Sequence, residues 1–241
     1  MTVIVVTGTG TEIGKTIVTA ALAAVATSAG RSVAVLKPAQ TGVSPEETGD
    51  ADEVLRLSGA VTGAELARFP EPLAPGTAAR RAGMAPVTPA EVADAARKLA
   101  EDHDLVLVEG AGGLLVRFDE AGGTLADAAG LLGAPVLVVA PAGLGTLNST
   151  ALTAEALRAR GIPQLGVVVG SWPAEPDLAA RCNLADLPEV AGAPLLGAVP
   201  EGAGALSPEA FREAAAGWLA PALGGVWEAG RFAATAGRLA P

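Results

Sequence analysis

Residues 2–7 (TVIVVT) run directly into Gly8-Thr9-Gly10-Thr11-Glu12-Ile13-Gly14-Lys15-Thr16, and an alanine-rich stretch follows. An apolar strand, a glycine-rich turn and a helix in that order confine the chain to a small set of α/β folds. The turn must return the helix over a strand that is itself buried. In such a turn glycines let backbone N–H groups curl round phosphate oxygens, and the helix N-terminus favours negative charge. Lys15 is then placed to reach the β- and γ-phosphates and the Thr16 hydroxyl to ligate Mg²⁺. The common form of this loop has four residues between its first glycine and Gly-Lys; here five separate Gly8 from Gly14. A dinucleotide-binding turn fits worse. Ile13 stands at the third glycine position, and Lys37 closes the second apolar run where an acid is needed.

The rest of the chain repeats the same rhythm. Apolar runs at 2–7, 32–37, 104–108, 135–140, 165–169 and 195–199 are continuous rather than alternating, as expected for parallel strands buried on both faces. Between and after them the pattern predicts helices over 14–29, 50–58, 89–101, 124–132, 147–160, 176–186 and 208–219. The expectation is a doubly wound α/β fold, a mostly parallel sheet flanked by helices, of the P-loop type. Segments 42–49 and 70–89, rich in Pro, Gly and Thr, read as loops around short helices. Residues 1–220 are expected to form one domain, and 221–241 a C-terminal tail, read as a short helix with a frayed end, to which the sequence assigns no role.

Charge narrows the function. A formal net charge of −10 disfavours nonspecific binding to nucleic acid or an anionic membrane. No apolar run approaches the roughly 18 residues of a transmembrane helix, and no basic segment precedes the first strand, so a cytoplasmic protein is expected. The single cysteine, Cys182, excludes an intramolecular disulfide and reads as a small, half-buried residue. One histidine makes a histidine-rich metal site and a Ser-His-Asp triad poor fits. Of 16 basic residues only three are lysine, leaving 13 arginines. Lys98 belongs to a charged helical stretch, but Lys15 and Lys37 both fall at the carboxyl side of strands, where ligands of such folds bind. Lys is a compact point charge, unlike the wide planar fork of Arg.

Pro38 cannot continue a ladder and should place Lys37 at the end of its strand. Glu109-Gly110-Ala111-Gly112-Gly113 follows the strand at 104–108, and a carboxylate there can hold Mg²⁺ directly or through water. Asp50 and Asp52 open a helix and need no ligand as caps, yet one of them can complete a Thr/Asp/Glu oxygen set. Beyond 135–140, the segment Pro141 to Asn148 offers N–H groups at a helix start to a substrate carboxylate.

Four blocks, GTGTEIGKT, KPAQTG, VEGAGGLLV and GLGTLNSTALTAEAL, resemble the dethiobiotin synthetases in order and spacing over about residues 2–200. The five-residue gap in the phosphate loop is that family's own form. The resemblance implies an ATP- and Mg²⁺-dependent ligase of biotin synthesis, acting on 7,8-diaminopelargonate with CO₂ or bicarbonate. It implies Lys15 and Lys37 as catalytic groups, and Thr16, Asp50 and Glu109 as metal ligands. The nucleotide would meet Glu12, Ile13, Gly14, Lys15, Thr16, Ile17, Asp50, Glu109, Gly110, Ala111, Gly112, Gly170, Ser171, Val199, Pro200 and Glu201. The substrate would meet Thr11, Lys37 and Thr41, with Leu144, Gly145, Thr146, Leu147 and Asn148 reaching its carboxylate from a second subunit of a homodimer. One departure stands out: the family's base-reading Asn is replaced by Gly170 within Val169-Gly170-Ser171-Trp172-Pro173, which predicts weaker discrimination between nucleoside triphosphates. Partition-type switch ATPases share the expected fold, but their signature lysine early in the loop is missing from Thr9-Gly10-Thr11. Cobyrinate-type amide ligases add a glutaminase domain for which this chain has neither length nor residues.

Overall fold

A computed structural model describes residues 2–59 and 61–236; the last five residues of the predicted tail lie outside them. The strands are β1 (Thr2–Gly8), β2 (Val33–Thr41), β3 (Thr62–Phe69), β4 (Leu105–Gly113), β5 (Val136–Ala140), β6 (Gln164–Trp172) and β7 (Leu195–Pro200). The helices are α1 (Lys15–Ser28), α2 (Asp50–Ser58), α3 (Pro75–Ala82), α4 (Pro89–Asp102), α5 (Leu125–Leu132), α6 (Thr146–Ala159), α7 (Leu178–Ala191), α8 (Pro208–Ala215) and α9 (Ala229–Ala236). The strands form one sheet in the order β3-β2-β4-β1-β5-β6-β7, with every pair parallel. The expected doubly wound architecture is therefore present. Val5, Val6, Val33 to Leu36, Val106 to Val108 and Val136 to Val139 are all buried, as their continuous apolar runs require.

Three readings of the sequence need correction. β3 was not expected, because TGAELARF carries charge and shows little apolar pattern; it is an edge strand with only Phe69 fully buried. The second strand does not stop at Lys37 but runs through Pro38 to Thr41. Pro38 is tolerated because β2 pairs with β4 only as far as Leu36 opposite Val108, and the β2–β3 register skips Pro38 between Lys37 and Ala39. Cys182 is exposed, not half-buried.

The phosphate loop is held from below by β6. A Cβ on Gly14 would collide with the Gly170 carbonyl, and one on Gly170 with the Ile13 carbonyl. Gly14 also has φ 90, a left-handed conformation that suits glycine. Gly170→Ala should therefore lower the unfolding free energy by about 1–3 kcal/mol, the usual cost of overpacking, and displace the loop. Gly130→Ala, on α5 with nothing within 4 Å, serves as the control in urea unfolding. Equal stabilities for the two variants would contradict the close approach of β6 to the loop.

Candidate active site

The ladder between β2 and β4 stops at Leu36–Val108, so the next residues, Lys37 and Glu109, face the gap where the strands part. Their side chains bridge it. Lys37 Nζ donates to Glu109 Oε1 at 2.9 Å and to the Gly110 carbonyl at 3.2 Å. Asp50, at the start of α2, forms a second ion pair with the same ammonium. Lys37 is 2% exposed and Glu109 1%. Burial by itself would push the Lys37 ammonium down, but the charges and hydrogen bonds of Glu109 and Asp50 outweigh it and raise its pKa above the ordinary 10.5. Thr16, in the first turn of α1, donates its hydroxyl to the same Glu109 Oε1 at 2.9 Å. Glu109 Oε2 is buried with no hydrogen-bond partner.

The phosphate loop supplies the other wall. α1 begins at Lys15 after Gly14, with no side-chain cap and no acidic residue in its first turn. Its first N–H groups are thus left for an anion. Glu12 adopts φ 56, the one positive φ at a described non-glycine residue, a strained conformation of the kind found in anion-binding turns. Lys15 Nζ folds back to donate to the Gly10 carbonyl at 2.8 Å. Its pKa is lowered, first by burial and then by the positive charge of Lys37, with Glu109 and Asp50 opposing. The opposite charge of a bound polyanion would offset both effects.

A cavity of about 820 Å³ opens above these groups, lined by Thr11 to Ile17 of the loop, Lys37, Thr41, Asp50, Ala111 and Gly112. Its further wall is apolar: Pro72, Leu73, Ala74, Pro75 and Val116. One polar, doubly cationic end and one hydrocarbon wall suit a phosphate-bearing ligand beside an aliphatic one.

Most of the sequence-predicted residues thus converge. Glu109 and Gly110 lie beneath the cavity, tied to Lys37. Asp50 faces the centre, while Asp52 turns away to accept from Gly49 N–H at 2.9 Å and to pair with Arg68 at 3.5 Å. Gly170 backs the loop; Ser171, Val199, Pro200 and Glu201 sit at the ends of β6 and β7 and do not line the cavity. Leu144 to Asn148 do not line it either. Gly145 opens α6 with φ 93, and Leu144 is 94% exposed.

Gln40 was missed as a site residue. Buried and lining the cavity, it accepts from Asp50 N–H at 2.9 Å through Oε1 and so aims the start of α2 at Lys37. Its only sequence signal was its place two residues after Pro38 on a strand that appeared to have ended. The apolar wall at 72–75 was hidden in a Pro-rich loop.

Comparison with known proteins agrees with this geometry. A family model described as an AAA domain matches residues 2–208. An ATP-dependent dethiobiotin synthetase from Streptomyces avermitilis is 75% identical, with 97% of this chain and 98% of that protein covered. Its counterpart in Saccharopolyspora erythraea is 70% identical, covering 94% and 99%. Among solved structures, a ParA family ATPase from Chlorobium tepidum aligns with TM-score 0.56 and 14% identity over 92% of this chain and 94% of that one. The cell division ATPase MinD of Pyrococcus furiosus gives 0.55 and 19% over 89% and 97%. At such identities the last two show a shared fold and nothing more.

Removing one carboxylate should expose the electrostatic design. Glu109→Gln leaves the buried Lys37 charge with one partner and is expected to cost about 3 kcal/mol of stability near pH 7. In the wild type, the raised pKa of Lys37 gives stability that is present below the unfolded value of 10.5 and lost only as pH climbs through the folded one. The variant's weaker compensation lowers that folded pKa. The stability gap should therefore stay constant near neutrality and narrow as pH climbs from the variant's folded pKa through the wild type's, which lies above 10.5; a gap unchanged across that climb in urea unfolding would refute the assignment of Lys37 as a buried, charged group.

Proposed function

The chain belongs to the ATP-dependent dethiobiotin synthetases, and from that membership we propose that the centre at Lys15, Lys37, Asp50 and Glu109 carries out the family's reaction. The enzyme is a ligase that joins 7,8-diaminopelargonate and CO₂ at the expense of ATP, giving dethiobiotin, ADP and phosphate. The observation that carries the site assignment is the single ammonium of Lys37, held by two carboxylates beside a phosphate loop whose own lysine is depressed by burial and then by Lys37.

The steps suit these groups. One substrate amine takes up CO₂ as a carbamate. A carbamate oxygen then attacks the γ-phosphorus and ADP leaves. The second amine attacks the activated carbonyl carbon, closing the ureido ring with release of phosphate. Each step builds or moves negative charge, so positioning and fixed positive charge supply the acceleration. Lys15 leaves the Gly10 carbonyl for the β- and γ-phosphates. Lys37 stays charged throughout, because its pKa is raised, and neutralises the carbamate and transferring phosphoryl. Thr11 and Thr41 flank the amines, and the wall of Pro72 to Pro75 and Val116 takes the aliphatic chain.

The oxygen set of Thr16, Asp50 and Glu109 fits Mg²⁺, a hard cation; the unpartnered, buried Glu109 Oε2 supports a further ligand there. When bound, the metal would screen charge on the β- and γ-phosphates. Gly170, Ser171, Val199, Pro200 and Glu201 are assigned to the nucleoside end. Because no side-chain amide occupies position 170, GTP and CTP are expected to support turnover alongside ATP.

Among the described residues, no helix is long and apolar enough to cross a membrane, and we place the reaction in the cytoplasm without nucleic acid or membrane partners. A homodimer is supported by Leu144, 94% exposed, and Leu152, 59% exposed, at the uncapped start and on the flank of α6. Residues Leu144 to Asn148 would then serve the partner's substrate carboxylate. Sedimentation should find a dimer that Leu144→Asp weakens; a monomer with full activity would defeat the shared site.

The central test is phosphate release with and without diaminopelargonate and bicarbonate. Turnover should require both, and hydrolysis indifferent to them would defeat the site assignment. Lys37→Arg keeps the charge but not the compact ammonium, and kcat should fall on the order of 100-fold or more. In the same assay GTP and CTP should come within about tenfold of ATP; a strict ATP requirement would refute loose base reading.

A further inference from the structure

In the function proposed above, the γ end of a triphosphate in the loop lies toward Lys15, Lys37 and Glu109, which the structure brings together at the cavity floor. Those last two stand on β2 and β4, to one side of β1 in the sheet. Phosphates running along the loop from that end direct the nucleoside to the other side, over the carboxyl ends of β5, β6 and β7. The inference that follows rests on this nucleotide role.

Those strand ends are joined to one another. Trp172 pairs with Pro200 across β6 and β7, and Glu201 N–H donates to the Trp172 carbonyl at 2.8 Å. Two residues back, Gly170 lies against Ile13 and Gly14 of the loop. The Trp172 indole is only partly buried, and what braces it comes from the far end of the chain. Phe232 of α9 meets it edge-on, with ring centroids 5.2 Å apart and planes at 71°. Phe232 stands in turn 5.4 Å from Trp227, which is buried.

The chain leading to α9 is itself stapled to β7. Leu219 bridges Gly197 in antiparallel fashion, and Ala220 N–H donates to the Leu196 carbonyl at 2.8 Å. Val226 N–H then donates to the Ala216 carbonyl at 2.8 Å and Trp227 N–H to the Leu219 carbonyl at 2.9 Å. Phe232 is therefore presented by a fixed platform, not by a loose tail.

We propose that Phe232 is a positioning residue of the nucleotide site: by bracing Trp172 it holds the joined ends of β6 and β7 as the surface against which the nucleobase packs. The residues at those ends, Gly170, Ser171 and Trp172 with Val199 and Pro200, present no side-chain amide to a base edge. Packing on a preformed surface then carries a larger share of base recognition, and its affinity depends on how little that surface must be ordered on binding. Without Phe232 the indole gains rotational freedom, and only a ligand that carries a base bears the cost.

Calorimetry on the full chain, titrated with ATP and with inorganic tripolyphosphate, separates the two ends of the site. In Phe232→Ala the Kd for ATP should rise about three- to tenfold, the worth of one aromatic pair, and that for tripolyphosphate should not move. Phe232→Leu, which keeps apolar volume and protects the fold, should give a smaller rise in the same pattern. In turnover, KM for ATP should rise while kcat and KM for diaminopelargonate stay unchanged. Equal weakening of both ligands, or no weakening of either, would overturn the proposal. A wild type that binds tripolyphosphate normally but ATP no better would overturn it too. Failure of the wild type to bind either ligand would instead defeat the nucleotide reading beneath it.

Discussion

An ammonium that is 2% exposed cannot remain charged in a protein interior unless carboxylates meet it there. Lys37 comes from β2, Glu109 from β4 and Asp50 from α2, so three elements must converge within hydrogen-bond distance of one nitrogen. Much of the local structure follows from that demand. β2 and β4 stop pairing one residue before Lys37, which opens room for the side chains. The Gly110 carbonyl turns toward the ammonium, and Gln40 fixes the first amide of α2. The ion cluster does not make the protein stable; apolar residues of similar volume commonly do as well or better at a buried ion pair. Stability comes from the Val, Leu and Ala core. What the cluster does is place fixed charge at the cavity floor.

The phosphate loop beside it is in several respects unfavourable as it stands. α1 starts without a cap, Glu12 holds a left-handed conformation, and Lys15 is depressed by burial and by Lys37. A polyanion lying across the loop would accept from the free N–H groups and favour the charged form of Lys15. The costs are held in place by packing from outside the loop, above all by Gly170 of β6 beneath Ile13 and Gly14. A larger residue at position 170 cannot coexist with that approach in this backbone. The same close contact thus excludes a side chain at position 170.

The sequence made the core of this arrangement readable where one physical rule dominated. Strands buried on both faces appear as unbroken Val and Leu runs, and six of the seven were found that way. β3 escaped because an edge strand buries little: only Phe69 is fully enclosed, while Glu65 and Arg68 make charged contacts. Pro38 misled in a related manner. Proline excludes a ladder partner on one side only, and the sequence could not reveal that β4 had already departed from that side. Lys15, Thr16, Lys37 and Glu109 were legible because residue type, spacing and strand ends agreed. Between Asp50 and Asp52 the sequence could not choose, since both satisfy helix-start preferences; in the fold Gln40 accepts from the Asp50 backbone N–H while Lys37 pairs with its carboxylate, and Arg68 draws the Asp52 carboxylate away.

The two edges of the sheet are protected by different means, and the difference bears on the site. β3 is guarded by charge: Arg68 pairs with Glu65 and Asp52 and also donates to the Ser44 and Glu47 carbonyls of the loop before α2. Charged side chains on an edge discourage pairing with other chains. β7 is covered instead by the chain's own continuation, through the Gly197–Leu219 bridge and the Trp227–Phe232 contact. A hydrogen-bonded, aromatic cover leaves little freedom. The charged edge therefore lies on the same side of β1 as the lysine centre of β2 and β4, and the covered edge lies on the other side.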